Sequence, residues 1–311
     1  MATKHRILSI DGGGIKGVFA ASFLATVEDA IGSPVAEHFD LIAGTSTGGI
    51  IAIGLGLGFS AREILGFYEQ HGPEIFQFSG LAGVVASVRQ LGKSKYGPEV
   101  LSSSLNRFFG GRLLGESKSS LLIPSFNLET GEIYVFRSGT DPRFDTDSGT
   151  EALDAALATA AAPTFFPAHR TKRGTPLVDG SVWANNPTEL AVVEGLGAFG
   201  WTPDSIAVLS MGSTQEPFSA GLARTAPLGA AYWGVKSAEL FITAQSSAAL
   251  SMAGRLIGSE NIYRINPTMP RRRFGLDKIS EIPSLAGLGD AEARKAMQTL
   301  KKVFFAGPPN T

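Results

Sequence analysis

The stretch that most restricts what this chain can become is residues 39–53, FDLIAGTSTGGIIAI. Leu41, Ile42 and Ala43 read as a short buried strand, which stops at Gly44-Thr45-Ser46-Thr47-Gly48-Gly49 before the apolar run resumes at Ile50, Ile51 and Ile53. Strand, sharp turn and helix in that order force the serine of Gly-x-Ser-x-Gly into a strained backbone with its hydroxyl at the tip, and Gly44 and Gly48 remove the Cβ atoms that would clash. Ser46 is therefore the candidate nucleophile. The bare pattern also fits a glycine-rich turn that caps a helix, but the flanking strand and helix are needed by a nucleophile elbow and not by a plain loop.

A second glycine turn precedes it. Residues 6–10, RILSI, form a strand running into Asp11-Gly12-Gly13-Gly14-Ile15-Lys16-Gly17, after which Val18 to Ile31 has helical spacing. Three glycines between strand and helix leave backbone N–H groups bare at a helix N-terminus, where the dipole favours negative charge. Such a loop suits an anion, either a phosphate or an oxyanion that exists only during reaction.

The remaining elements follow from local signals. Helices are expected over residues 60–78 with Ser60 as N-cap, over Pro98 to Phe109, over Glu151 to Ala162, over 227–258, and over Asp290 to Phe304. Strands are expected at Leu121 to Asn127, Glu132 to Arg137, Leu177-Val178 and Ile206 to Met211. Strands separated by helices through most of the chain predict an α/β layer architecture with a largely parallel sheet. No linker or charge run divides the 311 residues, so a single domain is expected over 1–311, with the motifs within 1–215 and 216–311 its helical C-terminal part.

Composition narrows the function classes. A net charge of -1 gives no field for a DNA or RNA polymer, and the absence of cysteine excludes a thiolate nucleophile, a disulfide framework and a cysteine metal site. No cluster of histidines and carboxylates has ligand spacing, so neither a metal nor another cofactor is expected. MATKHRILSIDGGG lacks the features of a secretory signal and no apolar run approaches the roughly 20 residues that span a bilayer, which predicts a cytoplasmic protein that meets a membrane only at its surface.

A serine nucleophile needs a base. The four histidines, His5, His38, His71 and His169, do not end strands as a third triad member does. Asp179 does, in the turn Asp179-Gly180-Ser181, although read locally it is equally an aspartate that forms a turn.

DGGGIKG at 11–17, GTSTGG at 44–49, AAAPTFFP at 160–167, DGS at 179–181 followed by WANNP, and LSMGS at 209–213 together resemble the ordered blocks of the patatin-like phospholipases. The resemblance implies a three-layer α/β/α fold and a Ser-Asp dyad without histidine. It makes Ser46 the nucleophile, Asp179 the base and the amides of Gly12, Gly13 and Gly14 the oxyanion hole. It departs from the family at Lys16, where arginine is common, and at Ser181, where glycine or alanine is common. The activity implied is hydrolysis of phospholipid esters through an acyl-enzyme, by a protein peripheral to the inner face of the membrane.

One group of patatin-like proteins serves in bacterial antiphage defence and is switched on by a cyclic nucleotide, and this chain is similar in length and compactness. That implies a cyclic di- or trinucleotide activator. Candidate anion or head-group contacts are Lys16, the segment 80–97 with Arg89, Lys93 and Lys95, and the triple arginine Arg271, Arg272 and Arg273, although such basic runs also fit a plain solvated face. The alternatives are a constitutive lipid acyl hydrolase, an actin-like ATPase or sugar kinase suggested by ILSIDGGGIKG, and an inactive lipase-fold scaffold.

Overall fold

A computed structural model describes residues 4–76, 94–138, 147–216, 230–270 and 274–306. Its strands are β1 (His5–Ile10), β2 (Leu41–Gly44), β3 (Ser120–Asn127), β4 (Glu132–Arg137), β5 (His169–Arg170), β6 (Pro176–Asp179), β7 (Ile206–Met211) and β8 (Ile262–Ile265). They form one sheet in the order β5-β6-β3-β2-β1-β7-β8, with β4 also on β3. The run from β3 through β2, β1 and β7 to β8 is parallel, whereas β4 and β6 lie antiparallel to β3 and β5 antiparallel to β6. The sheet is mixed and mostly parallel, as expected.

The parallel strands are apolar on both faces because both faces are covered. Ile7, Leu41, Ala43, Ile206 and Val208 enter one core, while their neighbours Leu8, Ile10, Ile42, Ala207 and Leu209 enter the other. Helices α1 (Gly17–Ile31), α2 (Thr47–Gly56), α3 (Ala61–Ile75), α4 (Pro98–Phe109) and α5 (Ala152–Thr159) lie on the larger core. Next come α6 (Ser181–Ala184), α7 (Thr188–Gly197) and α8 (Ala230–Ile257), the last two with side chains in the smaller core, and finally α9 (Ile282–Val303), which returns to the larger. The result is three layers, as the resemblance implies.

One feature of β3 organises the site. Leu122 pairs with both β2 and β4, so these strands occupy opposite edges of β3, and β4 continues along its edge through Asn127. β6 pairs with Ser125 to Asn127 and must therefore share the edge used by β2. Because β2 runs parallel to β3 and β6 antiparallel, the two strands point at one another with their C-terminal ends, separated only by Ile123 and Pro124. Proline fits there because neither strand pairs with it.

Several boundaries differ from expectation. The closing helix begins at Ile282 rather than Asp290, since Ile282, Leu285, Ala286 and Leu288 continue its packing face into the larger core, and Pro283 is tolerated in the first turn. α3 keeps its Ser60 cap, joined to Glu63 in a capping box, but ends at Ile75. β5 and β8 were not anticipated, the first being two residues long and the second carrying Arg264 in its middle. Residues 77–93, with Arg89 and Lys93, and Arg271 to Arg273 lie outside the described residues.

α9 crosses α1 at close range. A Cβ on Gly289 would lie 2.4 Å from the Phe19 carbonyl oxygen, whereas one on Gly287 meets nothing within 4 Å. Gly289→Ala is expected to lose about 1–3 kcal/mol of stability through overpacking. Gly287→Ala, on the same helix, is expected to gain up to about 1 kcal/mol from helix propensity. Urea unfolding of both variants checks the pair, and equal shifts would contradict the close crossing.

Candidate active site

The turn after β2 holds Ser46 at φ 56°, ψ −121°, a conformation that a residue with a Cβ rarely adopts. The flanking glycines are required by space. A Cβ on Gly44 would sit 2.1 Å from the Gly48 carbonyl oxygen, and one on Gly48 would sit 2.3 Å from that of Ile10. Ser46 then caps α2, whose positive dipole end faces the serine. Its backbone N–H donates to Thr159 Oγ1 at 3.0 Å, and the Thr159 hydroxyl donates in turn to the Pro124 carbonyl at 2.7 Å. Thr159 thus bridges the gap between β2 and β6, a role that its alanine-rich surroundings in the sequence do not reveal.

Asp179 arrives from the other side of that gap. It is 1% exposed, its N–H donates to the Ala161 carbonyl at 3.1 Å, and its Oδ1 accepts the Ser181 N–H at 2.7 Å. Oδ2 is buried without a hydrogen bond of normal geometry. Burial pushes the Asp179 pKa up to about 6, and the Ser46 hydroxyl, close enough to act as a loose donor, limits the rise together with Ser181. A strained serine and an incompletely satisfied buried carboxylate therefore face each other.

The glycine loop after β1 lies beside them. Backbone accounting shows which of its amides are spent. The N–H of Asp11 donates to Met211, that of Gly12 to Asn185, that of Ile15 to Leu276 and that of Lys16 to Gly13, at 2.9, 2.9, 2.8 and 3.2 Å respectively. Among the described residues, the N–H groups of Gly13 and Gly14 meet no backbone acceptor. The Gly12 amide, expected with its two neighbours in the oxyanion hole, donates here to the WANNP segment, and a Cβ on Gly12 would be 3.3 Å from Ser46 Cβ. Gly13 is backed by Ser213, and Gly14, at φ 57°, by the Leu276 carbonyl.

Lys16 follows this loop, half-buried, with no hydrogen bond or ion pair to a described residue. Burial lowers its pKa, and the carboxylates of Glu216 and Glu239 oppose that shift. Lys95, by contrast, is ion-paired with Asp277. The histidines are all occupied elsewhere: His169 bonds Asp154 at 2.6 Å, His38 bonds Ser33 at 2.8 Å, His5 stacks on Trp201, and His71 lies 3.7 Å from Glu74. Among the described residues, no group of three or more histidine, cysteine, aspartate or glutamate side chains is arranged to hold a metal.

A cavity of about 220 Å³ lies against the C-terminal end of α5, lined by Leu101, Leu157, Ala160, Ala161 and Phe166 among others. Its wall belongs to the segment that bonds both Ser46, through Thr159, and Asp179, through Ala161.

Residues 8–192 match the family model described as patatin-like phospholipase, more than half of the chain. The chain belongs to the patatin-like phospholipase family. As a member it is a lipid acyl hydrolase. A cGAMP-activated phospholipase of Pseudomonas aeruginosa is 31% identical to it over 325 aligned positions, covering 98% of this chain and 96% of that protein. One of Vibrio cholerae is 37% identical over 202 positions, but the match spans only 61% of this chain and 57% of its relative. Patatin-like protein 1 of Arabidopsis thaliana is 34% identical over 212 positions, 60% of this chain and 50% of the plant protein. Among solved structures, VipD from Legionella pneumophila aligns with a TM-score of 0.48 at 12% identity over 95% of this chain and 67% of that one, too loose a likeness to add to the assignment.

The raised pKa of Asp179 has two consequences for this patatin-like phospholipase. With Asp179 as the expected base, which must be ionised to act, kcat/KM is expected to fall tenfold per pH unit below about 6, a limb that should vanish from the residual rate of Asp179→Asn. Stability moves the opposite way. A folded pKa raised from 3.8 to about 6 favours the neutral carboxyl, so the stability present below pH 3.8 is lost as pH rises through 6, by at most about 3 kcal/mol. Asp179→Asn should therefore melt higher than wild type at pH 8 and at nearly the same temperature at pH 4. An acid limb near pH 4, or no gain in Tm at pH 8, would contradict the raised value.

Proposed function

We propose that Ser46 and Asp179 are the catalytic dyad of this lipid acyl hydrolase, that the amides of Gly13 and Gly14 are its oxyanion donors, and that the full chain, 1–311, works as one domain. The observation that carries the reading is the juxtaposition of a serine in a strained turn with a carboxylate buried to a pKa of about 6. Ser46 Oγ attacks the ester carbonyl as Asp179 takes its proton, and the carbonyl oxygen gains the charge that Gly13 and Gly14 stabilise. Collapse of the tetrahedral intermediate expels the alcohol, which receives the proton from Asp179. Water then attacks the acyl-enzyme with Asp179 again as base, releasing the fatty acid and restoring both groups. The apolar cavity beside α5 suits an acyl chain.

The substrate proposed is phospholipid at a membrane surface, with the enzyme peripheral to the inner face. No helix of the described residues is long and apolar enough to cross a membrane. Val182, 49% exposed and three residues after Asp179, and Phe241, 66% exposed and one turn from the Gln245 that accepts the Asn185 N–H, are exposed apolar side chains that fit contact with a lipid surface. Lys16 is proposed to meet a head-group phosphate. Its half-buried position beside the glycine loop, with no ion pair to a described residue, supports that role.

Gating by a cyclic di- or trinucleotide, in a bacterial antiviral setting, is supported by the similarity to the P. aeruginosa and V. cholerae relatives, which are cGAMP-activated phospholipases. The experiment is fatty-acid release from phospholipid vesicles by wild type and Ser46→Ala, with and without a panel of cyclic nucleotides that includes cGAMP. The expected outcome is low basal release, a rise of at least tenfold (about 1.4 kcal/mol) with one nucleotide, and loss of both in Ser46→Ala. High release that no nucleotide changes would leave a constitutive hydrolase. Release retained by Ser46→Ala would refute the dyad.

A further inference from the structure

β8 lies beyond the residues that match the family model, yet its central side chain reaches the base of the glycine loop. Arg264 Nη1 donates to Asp11 Oδ1 at 2.8 Å and Nη2 to Asp11 Oδ2 at 2.6 Å, a two-pronged pair, and Nη1 also donates to Ser210 Oγ at 2.9 Å. Behind them the Thr188 hydroxyl links Ser210 and Ser9 at 2.8 and 2.9 Å, so the ends of β1, β7 and β8 and the start of α7 share one buried polar network. Asp11 is 5% exposed and stands immediately before Gly12.

Such a pair needs a reason. Removing two charges from water offsets most of their attraction, and well-packed apolar residues commonly do as well for stability. Geometry supplies the reason. Within the loop, the Lys16 N–H holds the Gly13 carbonyl at 3.2 Å and so orients the Gly14 N–H of the same peptide plane, but no backbone bond within the loop holds the Gly12–Gly13 peptide that carries the Gly13 N–H. Its orientation must come from outside, from the Asp11 side chain at one end, the Asn185 carbonyl on Gly12, and the Leu276 carbonyl on Ile15.

We propose that Arg264 is a positioning residue for ester hydrolysis: its two-pronged bond to Asp11 fixes the turn so that the Gly13 and Gly14 N–H groups meet the developing oxyanion. The inference rests on the reading that these amides are the oxyanion donors. Arg264 touches no substrate and acts through Asp11. A loop that tilts by about 1 Å still binds the ester but stabilises its transition state less, at a cost of about 10²-fold.

The test is steady-state hydrolysis of a soluble p-nitrophenyl ester by full-length wild type, Arg264→Lys, Asp11→Asn and the double variant, with the folded fraction of each measured by thermal melting. Lysine keeps the charge and loses the fork. Arg264→Lys is expected to lower kcat by about 10- to 100-fold per folded molecule while KM stays within about twofold, because the lost interaction is made only in the transition state. The double variant should be no slower than the worse single variant, since both break one pair.

A kcat per folded molecule equal to wild type in Arg264→Lys overturns the proposal, as does a loss that appears in KM alone. Asp11→Asn keeps the shape of that side chain and loses its charge and one of the two prongs, so it serves if position 264 tolerates no change: a several-fold drop in kcat at constant KM supports the role, and an unchanged kcat overturns it. Ser46→Ala in the same assay separates the two failures. Activity lost there but kept in Arg264→Lys overturns the positioning role alone, whereas activity kept in Ser46→Ala overturns the dyad and this inference with it.

Discussion

Two strands that end against each other on one edge of a third hold this protein's chemistry together. β2 and β6 approach along β3 from opposite directions and stop on either side of Pro124, leaving a gap of two residues in the ladder. A gap inside a buried sheet leaves backbone groups without partners, which is costly unless something fills it. Thr159 fills it, accepting from the Ser46 N–H and donating to the Pro124 carbonyl. The chain leaving β2 turns sharply at Ser46, the chain leaving β6 turns at Asp179, and the proposed nucleophile and base meet because both strands end there. A shift of either strand by one register step would separate them.

The gap also sets the electrostatics. Asp179 is nearly inaccessible, and its Oδ1 has a firm donor in the Ser181 N–H while Oδ2 has none. A carboxylate given two or three backbone donors would be too weak a base to take a proton from serine. One firm donor and burial leave it at about 6, ionised at neutral pH yet basic enough to be protonated during attack. The same arrangement costs stability, as it does where function demands a strained or undersolvated group. The glycine loop repeats the pattern: the amides of Asp11, Gly12, Ile15 and Lys16 are bonded to hold it, while among the described residues those of Gly13 and Gly14, the proposed oxyanion donors, meet no backbone acceptor.

The elbow was legible because its requirements are local. Gly44 and Gly48 have carbonyls within 2.1 and 2.3 Å of where a Cβ would be, and only a Gly-x-Ser-x-Gly spacing permits that. The layered fold was legible too, since strands buried on both faces read as unbroken apolar runs. Less could be read where a role depends on a partner far along the chain. Gly12 looks like its two neighbours in sequence, and only the Asn185 carbonyl, 173 residues later, removes its amide from use. Thr159 is hidden in an alanine-rich helix, and Arg264 in an unremarkable IYRI strand 253 residues from Asp11. His169 illustrates the converse: a plausible base by residue type, it is bonded to Asp154 instead. Arg271 to Arg273 and the segment around Arg89 and Lys93 fall outside the described residues, so their part in any gating rests on function, not on geometry.

We propose that Asp179 activates Ser46 without a histidine. The most direct test is covalent: incubate the protein with a fluorophosphonate across pH 4 to 9 and follow phosphonylation by mass spectrometry of the peptide carrying Ser46. The account predicts a single adduct on Ser46, formed at a rate that rises with pH to a plateau above the Asp179 pKa of about 6, and slowed to near background in Asp179→Asn while His169→Ala reacts like wild type. An adduct on another residue, or labelling that survives Asp179→Asn and is lost in His169→Ala, would contradict it.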